Sequence, residues 1–129
     1  MLSIMDVICG VNIVNKLISN LSNLDKTWIF DLDGTLVVHN GYKNDGDSLL
    51  PGVKKFFEKN IKKDDYVLIL TARKSKYKTI TEKFLLDNEI IFDKIIYDLP
   101  VGERILFNDK KESGLITSYC FNLKRNEGL

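Results

Sequence analysis

The chain has 129 residues, 44% hydrophobic, 29% charged and 10% aromatic, a composition that fits one globular domain around a single core. Lys and Arg number 19 against 18 Asp and Glu, a formal net charge of +1, so bulk charge gives no reason to expect nucleic acid or another polyanion as partner. Cys9 and Cys120 lie far apart and make no metal or redox spacing, so two reduced thiols in a cytoplasmic protein are expected.

Residues 1–25 form an N-terminal extension in which Ile4, Val7, Ile8, Val11, Val14, Ile18 and Leu21 recur at helical spacing. An amphipathic helix is predicted, either packing on the domain or presenting a face to a second subunit of a homo-oligomer. Asp6, Asn12, Asn15 and Lys16 interrupt its apolar residues, so neither a signal peptide nor a membrane span is expected.

The domain proper is read over residues 26–129. Thr27–Asp31 reads as a buried strand and Asn40–Ser48 as a turn-rich flap. Pro51 and Gly52 open a helix that places Val53, Phe56, Phe57 and Ile61 on one face. Tyr66–Leu70 is a second strand, Ser75–Asn88 a helix and Phe92–Tyr97 a third strand closed by Leu99-Pro100. Arg104–Phe107 is predicted as a fourth strand and Ser118–Leu123 as a fifth, after a helical turn around Ser113–Ile116. The alternation predicts an α/β, Rossmann-like three-layer sandwich, its mainly parallel central sheet covered on both faces.

Ligands of such sheets bind beyond the carboxyl ends of the strands. Three predicted ends are strongly polar: Asp31-Leu32-Asp33, Thr71-Ala72-Arg73 and Asn108-Asp109-Lys110. Two neighbouring carboxylates repel unless a cation lies between them. A hard cation such as Mg2+ would resolve this, with Asp109 and Asn108 as further oxygen donors. Gly34 would leave backbone N–H groups open to an anion. Thr71 offers a hydroxyl and an N–H, and Arg73, Lys74 and Lys110 add positive charge. Together these groups describe a site for phosphoryl transfer.

Three stretches carry a family resemblance. "FDLDGTL" at Phe30–Leu36 resembles the first motif of the haloacid dehalogenase (HAD) superfamily, whose members are mostly Mg2+-dependent phosphatases. "LILTAR" at Leu68–Arg73 resembles the second motif and "ILFNDKK" at Ile105–Lys111 the fourth, acidic one. The likeness covers about residues 26–123 and implies a HAD-like fold. It also implies Asp31 as nucleophile, forming an aspartyl phosphate, and Asp33 as the acid and base that serves the leaving oxygen and the attacking water. Phosphate binding would fall to Thr71, Ala72 and Arg73. The implied metal set is Asp31, Asp33 and a fourth-motif residue, either Asn108 or Asp109.

The chain departs from the family where a lysine is usual before a proline: Leu99 stands there. Lys110 is the expected replacement and Lys74 the second choice. Arg104, about five residues before Asp109, would lie roughly 16 Å away along a strand, at the wrong edge. About 19 residues separate the first strand from the next helix, room for the flap but not for a cap domain, and His39, Tyr42 and Lys43 in it are candidates to touch the leaving group. "GxRILxND" and the closing "NLKRNEG" also resemble small phosphatases associated with surface-polysaccharide synthesis. A phosphomonoesterase acting on a phosphorylated sugar, polyol or related small metabolite is therefore expected. A polynucleotide end phosphatase and a degenerate HAD-like binding domain are the alternatives.

Overall fold

Thr27–Asp31 is the first strand, β1, of the computed structural model, which describes residues 11–129. Tyr66–Leu70 (β2) and Lys94–Ile96 (β3) complete a parallel sheet in the order β1-β2-β3. The register sets Asp31 beside Leu70 and Leu70 beside Ile96. All three strands therefore end at one edge, and Thr71 follows β2 next to the end of β1.

Two helices join the strands. Helix α2, Val53–Asn60, buries Val53, Phe56 and Phe57, three of the four residues predicted to share its inner face, while Ile61 packs against the same core. A 3-10 turn at Ser75–Tyr77 leads into α3, Lys78–Asp87, which buries Thr81 and Leu85. Helix α1, Val11–Ile18, sets Val14 into the core with Ile18 packed against it. The expectations for Ile4, Val7 and Ile8 lie outside the described residues.

The core forms on one face of the sheet. Side chains alternate along a strand, and the register aligns Trp28 with Val67 and Phe30 with Ile69. On this face Phe30 stacks on Phe57 at 4.8 Å between ring centroids and meets Phe56 edge-on at 6.2 Å. Burying such rings is worth about 1.5–3 kcal/mol each, with a smaller gain from ring geometry. Both crossovers step in the same direction across the sheet, so the right-handed rule sends α2 and α3 to the same side. The opposite face stays open along β1, where Ile29 is 52% exposed.

This asymmetry corrects part of the predicted architecture. Residues 104–107 and 118–123 form no strand, and 113–116 form no helix. Arg104–Phe107 has the apolar run of a buried strand, but a strand needs a ladder partner for its N–H and C=O groups. Among the described residues no such ladder receives it, and Phe107 is 91% exposed. The described residues thus form an open three-stranded α/β sheet with one face packed.

Residues 125–129 return across the loop that leads from β1 to α2. Asn126 donates its N–H to the Gly34 carbonyl, and its Oδ1 accepts from the His39 N–H at 2.9 Å. The Leu129 N–H reaches the Pro51 carbonyl at 3.0 Å. Gly52, with φ +78°, has no room for a Cβ against the Leu129 carbonyl, so both its conformation and its close approach require glycine.

Candidate active site

Asp31 stands at the carboxyl end of β1 and is partly exposed. Its Oδ2 accepts from the Thr35 hydroxyl at 3.1 Å, and its Oδ1 accepts from Arg104 Nη1 at 3.0 Å. Leu32 is fully buried and anchors the turn between the two aspartates. The turn itself is closed: Gly34 N–H donates to the Val37 carbonyl at 2.7 Å, and the Thr35 and Leu36 N–H groups donate to Leu32. The expected cradle of open N–H groups at Gly34 is therefore not formed, because its donors are used within the turn.

Asp33 and Arg73 meet in a two-pronged contact. Arg73 Nε donates to Asp33 Oδ2 at 3.0 Å and Nη2 to Oδ1 at 2.9 Å. The same guanidinium donates Nη1 and Nη2 to Asp47 Oδ2 and Oδ1 at 3.0 and 2.6 Å, and Nη1 to the Thr81 hydroxyl at 2.9 Å. An arginine has five N–H donors, and all five are engaged. The Tyr42 ring lies 4.0 Å from the guanidinium carbon, and Tyr77 meets Tyr42 edge-on. Burial alone would disfavour the cation, but the bonds from Asp47 and Asp33 outweigh it and hold Arg73 firmly protonated. Arg73, expected to bind phosphate, has no donor left for it.

Thr71, also expected to bind phosphate, is buried where β2 ends. The Thr71 N–H is taken by the Ile96 carbonyl at 3.0 Å, while its hydroxyl oxygen accepts from the Arg73 N–H at 3.0 Å. The Thr71 hydroxyl proton has no described acceptor, but the residue is only 1% exposed, and its backbone donor is used at the sheet edge. Beyond β3, Asp98 N–H bonds the Arg73 carbonyl at 2.8 Å and Leu99 N–H the Thr71 carbonyl, locking the second polar turn against the third strand. Next to it the Tyr97 hydroxyl donates to Glu82 at 3.0 Å. Burial, reinforced by that carboxylate, pushes the Tyr97 phenol well above its usual range.

The third polar cluster does not join the first two. Asp109 is fully exposed and paired with Lys111 at 2.7 Å, a bond that holds its carboxyl below the usual range. Asn108 donates to the Thr117 hydroxyl at 3.1 Å, and Lys110 lines a shallow cleft with both of them. Arg104, assigned to the wrong edge on strand spacing, instead reaches Asp31, because residues 104–107 are not held in a strand.

The residues present do not make up the expected Mg2+ site. Asp31 is paired with Arg104, both Asp33 oxygens face Arg73, and Asp109 and Asn108 have other partners. Among the described residues no three His, Cys, Asp or Glu side chains gather where they could hold a metal ion.

Asp47 lies outside every sequence motif, whereas Arg104 and the 125–126 pair lie within quoted stretches that give them no place at the site. Asp47 sits in a loop full of turn-forming residues, and nothing in "NDGD" marks its charge as one that is buried. Arg125 packs its side-chain stem over Gly34. The signal for Arg125 and Asn126 was present in "NLKRNEG" but carried no position in space. No family model matches the chain, and no curated protein or solved structure matches it.

Proposed function

We propose that the chain is a phosphomonoesterase of the HAD type, acting through an aspartyl phosphate on a phosphorylated sugar, polyol or related small metabolite. The observation that carries this reading is Asp31. It is a carboxylate at the end of a parallel strand, oriented by the Thr35 hydroxyl and flanked by a guanidinium, with Thr71 following the adjacent strand. A nucleophilic carboxylate needs that orientation, and a phosphoryl group entering beside it meets the positive charge of Arg104.

In the first step an Asp31 oxygen bonds to phosphorus as the bond to the leaving oxygen breaks, and Asp33, after taking up a proton from solvent against the pull of Arg73, gives that proton to the leaving oxygen. In the second step water attacks the aspartyl phosphate, its proton passes to Asp33 and the Asp31–phosphorus bond breaks. Arg104 takes the place of the lysine missing at Leu99. Mg2+ dependence belongs to this proposal on the sequence pattern alone, and neither step above is routed through the metal. The complete HAD-like sandwich extends the resemblance, and a homo-oligomer formed through the N-terminal segment extends the helical spacing of its apolar residues. No helix among the described residues is long and apolar enough to cross a membrane.

The competing reading is a binding domain derived from such an enzyme, favoured because no three His, Cys, Asp or Glu side chains gather among the described residues. One experiment separates the two. Phosphate release is measured from sugar, polyol, nucleotide and oligonucleotide phosphates, with Mg2+ and with EDTA, for the wild type and Asp31→Asn. Metal-dependent release from the small phosphates, lost by ~10^3-fold or more in the variant, supports the phosphatase. Release confined to oligonucleotides, with a steep loss in salt, shifts the substrate class. No release from any of them, or unchanged release by Asp31→Asn, rejects the proposal.

A further inference from the structure

Asp47 belongs to no motif, yet its side chain is only 5% exposed and holds two N–H groups of a guanidinium that is itself 1% exposed. Burying a carboxylate costs several kcal/mol unless it is paired, so a turn residue placed there needs a reason. Its loop is fastened at the root: Val37 pairs with Leu49, Val38 N–H donates to Ser48 at 3.0 Å and Leu50 N–H donates to Leu36 at 2.9 Å. These anchors set Asp47 opposite Asp33 across Arg73. Tyr42, from the same loop, covers the guanidinium face.

We propose that Asp47 is a positioning residue that fixes the orientation of Asp33 through Arg73, so that the flap and the proton-transfer group form one unit. This inference rests on the phosphatase reading above. Arg73 contacts Asp33 with two of its five donors, and that contact alone would leave the other three N–H groups without partners in a buried site. Asp47 supplies two of those partners and Thr81 the third. With every donor engaged from three sides, the guanidinium plane is fixed, and so is the Asp33 carboxylate lying along its edge. Without Asp47 one N–H on each of Nη1 and Nη2 loses its acceptor, so Asp33, Thr81 and Tyr42 alone hold the plane and Asp33 is held less firmly with it. A displacement of about 1 Å at a reacting group can cost on the order of 10^2-fold in rate.

The test compares substrates that differ in their need for a proton. An alkyl phosphate leaves as an alcohol only when its oxygen is protonated, whereas p-nitrophenyl phosphate departs without that help. The full chain and Asp47→Asn are compared on both by kcat/KM, which reports the steps up to departure of the leaving group, with circular dichroism to check folding. The expected result is a loss of about 30-fold or more on the alkyl phosphate and about 3-fold on the aryl phosphate. Equal losses on both would overturn the inference, since a purely structural role lowers both alike. If Asp47→Asn does not fold, Tyr42→Leu carries the same test, with the same selectivity in smaller measure expected. A wild type inactive on both substrates rejects the phosphatase reading and this inference with it. An active wild type whose variants show no selectivity rejects the inference alone.

Discussion

Two arginines near the paired aspartates are used in opposite ways. Arg73 is buried and fully bonded, so its charge is consumed in holding Asp33 and Asp47. Arg104 is partly exposed and has one described acceptor, Asp31, so it can turn toward an incoming anion. On the proposed phosphatase reading, a guanidinium beside the Asp31 carboxylate offers a fork that matches phosphate oxygens. Arg104→Ala is therefore expected to lower kcat/KM by about 10-fold or more, and Lys110→Ala by less than about 2-fold. The reverse ranking would place the phosphate on the 108–118 side of the molecule. Strand spacing favours Lys110 only where residues 104–107 form a strand, and they form none. The position of Arg73 at the end of β2 was legible in "LTAR". Its saturation was not, because the acceptors come from residues 33, 47 and 81, and nothing in local sequence says that they converge.

At the scale of the elements, β1 and β2 are fastened at their starting ends by one carboxylate. Asp65 accepts from the Lys26 N–H, the Trp28 indole and the Lys62 N–H, each at 2.9 Å. Burial works against the charge, but the bonds from Lys62, Trp28 and Lys26 together outweigh it and hold the carboxyl below its usual range. A carboxyl lowered on folding stabilises the protein above its ordinary pKa of about 3.9. That contribution is lost as the pH falls through the lowered folded value. Asp65→Ala should thus cost about 1–3 kcal/mol in urea unfolding at pH 7, and the gap to wild type should narrow below about pH 4. A gap that stays constant down to pH 3 would mean that the charge of Asp65 is irrelevant. Both strands were readable from sequence because five-residue apolar runs sit between polar turns, but the clasp joins residues separated by 37 and 39 positions.

The whole molecule is unevenly built. Residues 27–96 hold the sheet, both crossover helices and nearly all of the core. Val101, Ile105, Leu106, Phe107 and Ile116, by contrast, are exposed along a stretch without regular structure. Segments with few buried contacts open at little cost in free energy. Limited proteolysis should cut between residues 101 and 120 well before it cuts between 27 and 96. First cuts inside β1–β3 would contradict this division. The boundary also marks where sequence reading loses its grip: up to Ile96 each apolar run has a partner across the core or sheet, whereas beyond it the same kind of pattern meets no edge.

The return of residues 125–129 has a consequence for the order of events during synthesis. The His39 N–H is bound by Asn126, 87 positions downstream, and the Gly34 carbonyl by the same residue's N–H. A chain emerging from the ribosome N-terminus first can lay down β1, α2 and β2 while Asn126 is still untranslated. The turn carrying Asp31 and Asp33 therefore gains this fastening only after translation has passed residue 126. Long-range contacts of this kind are slow to form. The nascent protein acquires its core before it acquires a finished site.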